Sequence, residues 1–522
     1  MTKQILIRNT HENMTPIIRS ILVSLDSETE TIITFEKDEY HFYKDGSLHQ
    51  MSYASGSLSA ENDTIFHINQ KRNVTIDGNG SDFVFCDRVQ PFTLKNTKNI
   101  TLKNFAIDFS FMRYAYADII SISDDGMELY LDPSMFRYSV RNGALIFHCG
   151  VEDMSTETRK ISCKPISGTS SICFLYIGTF HGIYNPAAPN VLAYAEKTEK
   201  GVFLRYNGMS AKPNFSVGAR VCLAYDNDRE MQAMHCEFCE NITLQNIHVY
   251  RQGGMGFVAD ICKNITFDQL RIQLKHGRDE YFTTTADGIF LTNCSGKVIL
   301  RNSIIEDTYD DAMNVHGFYI EVDAILSDKQ IRLAHAHSDH WGLLPYKTGD
   351  IISFTDPITY HEVGSAEIET VFYDEDRRNM VVTLCEPISL SEHMLVENRT
   401  RMPYVLIEDN TIKNCPHMRL SSQNMIIRRN YLSLNASDIY IDDLVDFYKE
   451  YGAVHSVLIA ENHFGKTAGH NIHVLSQRPK SSNHLHKKII IENNEFEKEK
   501  DSALQMSHIL DLIERNNRYS VD

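Results

Sequence analysis

The sequence predicts an all-β fold, a right-handed parallel β-helix with two inserted small antiparallel β-barrel-like domains, and three observations carry that prediction. A short phrase recurs in which apolar residues alternate over three to five positions, an Asn follows, and another apolar pair comes after it. Measured from Asn to Asn, with Gln269 substituting once, the intervals 246 to 269, 269 to 302, 410 to 430, 430 to 462 and 462 to 494 run between 20 and 33 residues, the repeat length of a solenoid coil. The third observation is the lack of a Leu-x-x-Leu-x-Leu frame with one helix per repeat, which sets aside a leucine-rich solenoid.

The elements follow in chain order. Thr31-Ile32-Ile33-Thr34-Phe35, Tyr40-His41-Phe42 and Asn73-Val74-Thr75-Ile76-Asp77-Gly78-Asn79-Gly80 read as first coils within residues 1–110. Period-two alternation rich in Ile, Val and Leu turns every second side chain inward. The repeat then lapses over 111–225, where short alternating strands such as Ile119-Ile120-Ser121-Ile122 are separated by turn signals, and the stretch closes on Val217-Gly218-Ala219-Arg220-Val221. It resumes over 226–316 with Ile242-Thr243-Leu244-Gln245-Asn246-Ile247, Ile265-Thr266-Phe267-Asp268-Gln269-Leu270 and Val298-Ile299-Leu300-Arg301-Asn302. A second lapse spans 317–403 and ends similarly, on Thr348-Gly349-Asp350-Ile351-Ile352. Small antiparallel barrels or sandwiches growing out of coil loops fit both lapses. The C-terminal coils, 404–522, carry Asn410, Asn430, Asn462 and Asn494, and stacked coils would align these as an Asn ladder. Helix signals concentrate at Leu444 to Tyr451 and at Ala503 to Arg515, the latter placed to cap the open end of the solenoid.

A net charge of -18 argues against a nucleic-acid backbone as partner, because phosphate binding needs a basic face, and is compatible with a neutral, hydroxyl-rich ligand. Acidity in the service of solubility is the simpler explanation of that charge. No apolar run reaches the roughly 20 residues that span a bilayer, so no membrane partner is expected. The first residues show no signal-peptide h-region, and the 11 cysteines are scattered. A cytoplasmic location is expected for the chain as it stands, and a secreted or periplasmic one if a leader has been removed. Cys236 and Cys239 form a Cys-x-x-Cys pair without a second pair to complete a zinc site, and read as core cysteines. A homo-oligomer is compatible with the sequence.

Chemistry concentrates in Ala286-Asp287-Gly288-Ile289-Phe290-Leu291 and Tyr309-Asp310-Asp311-Ala312-Met313-Asn314-Val315-His316-Gly317. Asp287 and Asp311 are 24 residues apart, about one coil, and each precedes an alternating apolar strand, so they are expected at equivalent positions on adjacent coils. Neighbouring strands about 4.8 Å apart would let both reach one water. Glycoside hydrolysis needs such a set, an acid for the leaving oxygen and a carboxylate to activate water or attack the sugar. Crowded carboxylates resist ionising together, which keeps one protonated near neutrality. Asp-Gly and Asp-Asp are also plain turn formers, and aspartates on adjacent coils can bind calcium, as in β-helix lyases. A lyase adds a basic residue, and Lys297 is the only Lys or Arg between Asp287 and Val298.

The Asp-Gly followed one coil later by Asp-Asp resembles the three-aspartate pattern of polygalacturonases, although their Gly-His-Gly signature and basic pair are not evident. The fuller phrases around Asp287 and Asp310-Asp311, on a β-helix interrupted by two small β domains, are more similar to glycoside hydrolase family 110, the α-1,3-galactosidases. The resemblance covers most of the chain in architecture and about thirty residues in motif. It implies an exo-acting, inverting enzyme that removes terminal α-1,3-linked galactose, as in blood group B or linear α-Gal glycans, with no cofactor and no required metal. Asp287, Asp310 and Asp311 match the family's acidic cluster. By analogy with polygalacturonases Asp310 is the acid, and Asp287 and Asp311 hold the water. A stacked pair about 5 Å apart would by itself suggest retention, so the separation of Asp310 from the other two decides. For substrate binding, Trp341 with its neighbour His340 is a candidate to stack on the sugar, Asn314 and His316 share the Asp311 strand, and a count of eight or nine residues beyond later Asn residues reaches Arg419 and His470. A core tryptophan, a ladder asparagine and solvated surface are the bland alternatives for these. The rival functions are a polygalacturonase-like hydrolase acting on another glycan and a non-catalytic carbohydrate-binding β-helix.

Overall fold

The computed structural model describes residues 2–520 apart from 28, 58–59, 113, 149–152, 156–160, 166–171, 178–191, 208–216, 225–230, 359–360, 443–448, 452–453 and 477–485. Its body is a parallel β-helix whose coils lay strands on three faces. On the first face Thr31–Phe35 pairs with Arg72–Phe85, which pairs with Lys98–Phe109, each in parallel. The alternation read from the sequence becomes columns of inward side chains. Val298 and Leu300 stack on Val405 and Ile407, then on Met425 and Ile427, Val457 and Ile459, and Ile489 and Ile491, all buried. Each such side chain contributes roughly 1.5–3 kcal/mol on burial, so the columns hold the solenoid together. The N-terminal coils fill the same space with aromatic stacks, Phe66 on Phe92 at 4.4 Å and Phe83 on Phe105 at 4.8 Å.

The coils close over both lapses in the repeat. Ile100 in the strand before the first lapse pairs with Ile242 after it, and Val298 pairs with Val405 across the second, so the solenoid is continuous in space where it is interrupted in sequence. Between the first two, strands from Tyr114–Ile122 to Arg220–Ala224 form a mainly antiparallel sheet with its own core of Tyr114, Ile119, Leu129, Leu204 and Leu223. Between the second two, strands from Ile320–Ile325 to Leu395–Asn398 close into a barrel around Val322, Leu333, Ile352, Phe354 and Val382.

The recurring Asn occupies two distinct positions rather than one. Asn246, Gln269 and Asn302 sit at a corner in the left-handed conformation (φ 51, 59 and 52°), which Asn tolerates better than most residues. In later coils that corner is held by Asp409, Arg429 and Glu461, and the Asn comes one residue further on. There it turns inward and builds the ladder. Asn410 donates to Asn430 Oδ1 (2.9 Å), Asn430 to Asn462 Oδ1 (2.9 Å), and Asn462 to Asn494 Oδ1 (3.0 Å), while each second amide hydrogen meets a carbonyl of the preceding coil. Cysteines do similar work at another corner. The thiol of Cys239 donates to Leu94 O (3.3 Å), that of Cys262 to Cys236 O (3.5 Å) and that of Cys294 to Ala259 O (3.4 Å), so the Cys-x-x-Cys pair is part of a buried column.

The helical cap lies at the opposite end from the one expected. Thr15–Ser24 is an α-helix with Pro16 in its first turn, and it buries Ile18 and Leu22 over the first coils. Ala503 to Arg515 is not a helix. A single turn, Lys500–Ala503, leads into strands Leu504–Met506 and Ile509–Arg515, which pair with Ile472–Val474 and His486–Glu492. The Ile-Leu-Asp-Leu-Ile spacing suits a helix, but a waiting sheet edge supplies the backbone hydrogen bonds and overrides that preference. Of the other helix signal, 443–448 lies outside the described residues, and Glu450–Tyr451 is a strand against Gly317 and Phe318.

Candidate active site

Two copies of a Thr-x-x-Asp phrase, Thr284 to Asp287 and Thr308 to Asp311, lie on adjacent coils and fold alike. Thr284 Oγ1 donates to Ala286 O and Thr308 Oγ1 to Asp310 O, both at 2.7 Å, and the two threonines pair directly. Ile289 pairs with Met313, so Asp287 and Asp311, two residues before each, stand in register. The Gly288 N–H donates to Asp311 O at 2.8 Å. A Cβ on residue 288 would lie 2.8 Å from Ala312 O, so the glycine lets the coils close. Tyr309, just before Asp310, is anchored in the core of the first inserted sheet, edge-on to Phe282 at 5.9 Å.

The result is a triad. One oxygen from each of Asp287, Asp310 and Asp311 lies within 4.8 Å of the others, with Asp287 and Asp311 each 4% exposed and Asp310 half-buried. Burial, and then the charges of Asp287 and Asp310, push the Asp311 carboxyl well above the usual carboxylate range, while Arg419 acts in the opposite sense. The carboxyl of Asp311 therefore holds a proton more tightly than an isolated carboxylate would. The same oxygens could surround a divalent cation, the other chemistry open to three crowded carboxylates.

The strand after Asp311 turns Asn314 and His316 outward on the third face, and both are buried, with His316 Nδ1 2.9 Å from Asn314 Oδ1. Burial holds the His316 imidazole below its ordinary pKa. Arg419 pairs in register with Asn314, not with the aspartates, because corner lengths differ between coils and counting from the Asn overshoots. Nor is it solvated surface. Its Nη2 lies 2.7 Å from Asp442 and its Nη1 3.1 Å from Glu450. Burial alone would lower its pKa, but Glu450, Asp442 and Asp311 together raise it. His340 is 3% exposed and stacked on Phe318 at 4.1 Å, so its ring is committed to packing rather than to a sugar. Trp341 is 37% exposed, and the Arg378 guanidinium covers one of its faces at 4.0 Å. His470 stands further along, half-buried, with Nδ1 3.1 Å from Ser502 O.

Four residues at the site escaped the sequence reading. His417 Nε2 lies 3.0 Å from Asp311 Oδ1, and its ring stacks on Tyr440 at 4.8 Å. Asp442 and Glu450 hold Arg419. All four lie beyond the second inserted unit, and His417 would have been found by placing Met418 opposite Met313, which the alternation of Met418 and Leu420 permits.

A β-helix that brings three carboxyls together supplies what a glycoside hydrolase needs, an acid and a carboxylate to activate water. No family model matches the chain. It is 25% identical to an α-1,3-galactosidase B of Phocaeicola vulgatus, over 98% of this chain and 88% of that protein. It is 26% identical to an α-1,3-galactosidase B of Bacteroides fragilis, over 78% of this chain and 69% of that one. With an α-1,3-galactosidase A of Shewanella woodyi it shares 23% over 94% and 80%. The resemblance to the α-1,3-galactosidases thus extends from the aspartate phrases to nearly the whole chain.

Proposed function

We propose that the chain is an exo-acting, inverting α-1,3-galactosidase that removes terminal α-linked galactose from oligosaccharides or glycoconjugates of the linear α-Gal or blood group B type. The observation that carries this reading is the triad, three carboxyls with oxygens within 4.8 Å of one another, in a chain similar to α-1,3-galactosidases over 98% of its length. Crowding favours a proton on the cluster, and groups this close share it as a set. Asp310, its least buried member, delivers it to the glycosidic oxygen, and Asp287 and Asp311 orient the attacking water. Inverting sites usually hold acid and base about 6.5–9.5 Å apart and retaining sites about 5–5.5 Å. The oxygens of all three, that of Asp310 included, lie within 4.8 Å of one another, closer than the usual inverting spacing, and inversion here requires a water held by Asp287 and Asp311 together, bonding each at about 2.8 Å. The water then need not fit between acid and base.

A uronate-cleaving alternative requires a free cation for the sugar carboxylate, whereas the Arg419 fork is turned to Asp442 and Glu450. The test is galactose release from α-1,3-, α-1,4- and α-1,6-linked digalactosides, and from the α-1,3 glycan with and without its fucose branch. Release from the α-1,3 linkage alone is expected. Equal release from all three would remove the linkage assignment, and activity on uronate polymers only would replace the reading.

A further inference from the structure

The outward surface of the third face differs on the two sides of the triad. Toward the N-terminus, Val258 and Phe290 stand in one outward row, and this row is covered. Ala54, Met255, Val258, Ala286 and Phe290 form a closed apolar cluster, each at most 5% exposed. The covering chain is the loop around Ser52 to Gly56, and it is clamped. Ser55 Oγ donates to Asp260 and lies 2.8 Å from Thr292 Oγ1, its N–H donates to Asp260 Oδ2 at 3.2 Å, and Asp260 also meets His235 Nε2 at 3.0 Å. A Cβ added at Gly56 would sit 2.7 Å from Met255 Cε, which measures how closely the loop is pressed down. The loop is also tied to the barrel, where Tyr53 packs on Gly342 and beneath the Arg377 guanidinium at 4.6 Å.

Toward the C-terminus the same row runs on as Asn314, Arg419, Tyr440 and His473. From Tyr440 onward the row consists of half-buried rings carrying polar atoms. His417 stacks on Tyr440, Tyr440 meets His473 edge-on at 4.8 Å, and His473 lies 5.6 Å from His470. The ledge covers three coil steps beyond the triad, roughly 14 Å at the spacing of parallel strands.

We infer that this face binds its glycan with one polarity: the terminal sugar abuts the clamped Ser52 to Gly56 loop, the next sugar meets Tyr440, and the sugars beyond it on the reducing side lie along His473 and His470. This rests on the galactosidase reading and deepens it, because a face blocked at one end by a tightly packed loop admits a chain terminus and not a chain interior. Sugar rings present C–H faces that stack on aromatic surfaces and hydroxyls that meet ring nitrogens, and the ledge offers both.

The test uses the whole protein and compares kcat/KM for the disaccharide Galα1-3Gal with that for a tetrasaccharide extended on its reducing side, in wild type and in a His470→Ala, His473→Ala double variant. Wild type is expected to favour the tetrasaccharide. The double variant should lose roughly tenfold on it, mainly through KM, while staying within about twofold of wild type on the disaccharide. A galactoside extended at its non-reducing end should not be cut. Equal losses on both substrates or no loss on the tetrasaccharide would overturn the polarity and leave the galactosidase reading standing, whereas cleavage of the extended galactoside would overturn the polarity and the exo action together. Absence of galactose release by wild type from any α-1,3 glycan would remove both. If the double variant does not fold, the comparison with His470→Ala alone decides.

Discussion

At Asp311 burial and two neighbouring charges act against ionisation, and the cost of that arrangement falls on stability. A carboxyl whose pKa is raised on folding binds its proton more tightly in the native state. The native state therefore loses stability as pH rises from the ordinary carboxylate pKa toward the raised one, and the penalty is absent in acid. Asp311→Asn should accordingly raise Tm by about 1–2 °C at neutral pH and leave it unchanged near pH 4, read by calorimetry at both pH values. A lower Tm at neutral pH would mean that the pairing with His417 outweighs the crowding. The division of labour is tested with leaving groups. An acid matters little for an activated aryl galactoside, so Asp310→Asn should keep far more of its activity there than on Galα1-3Gal, whereas Asp287→Asn should lose roughly 10³-fold or more on both. Prolonged EDTA treatment should leave the rate unchanged. A loss restored by calcium would turn the triad into a metal site.

The Asn ladder decides how the C-terminal coils tolerate change. Asn462 donates twice and also accepts from Asn430, entirely inside the protein, so Asn462→Ala leaves buried groups unpaired and should cost about 2–4 kcal/mol. Asn246 holds an outer left-handed corner and donates to Asn104 Oδ1 at 3.0 Å, so Asn246→Gly keeps the backbone conformation, loses that one half-buried bond and should cost only about 0.5–1.5 kcal/mol. Denaturant melts of the two variants check the contrast, and equal losses would merge the two positions. The sequence displays both kinds of Asn one residue apart in a similar phrase, so the local pattern does not separate the two positions. Nothing in a local pattern says that Arg429 and Glu461 adopt a conformation usually left to Asn or Gly. The C-terminal strands were hidden for a related reason. Ile509 to Arg515 has helical spacing, and only the edge of the preceding coil makes it a strand.

Across the whole molecule, what was legible was whatever repeats: strand alternation, coil length, and the equivalence of Asp287 with Asp311. What was not legible depends on contacts over long separations. His417 reaches Asp311 across the second inserted unit, and Ser55 reaches Asp260 from 205 residues away. Both inserted units matter to the site through single anchors. Tyr309 in the first core fixes the backbone before Asp310, and Phe318 in the second continues the Asn314 and His316 strand into the barrel. Tyr309→Ala should therefore lower kcat more than a comparable truncation deep in the same sheet, such as Leu204→Ala, at matched loss of stability. The measurement that tests the central claim most directly is proton NMR of Galα1-3Gal turnover by wild type and by Asp310→Asn. The triad as described predicts galactose appearing first as the β-anomer with wild type and almost none with the variant; first appearance of the α-anomer, or unchanged turnover by Asp310→Asn, would contradict it.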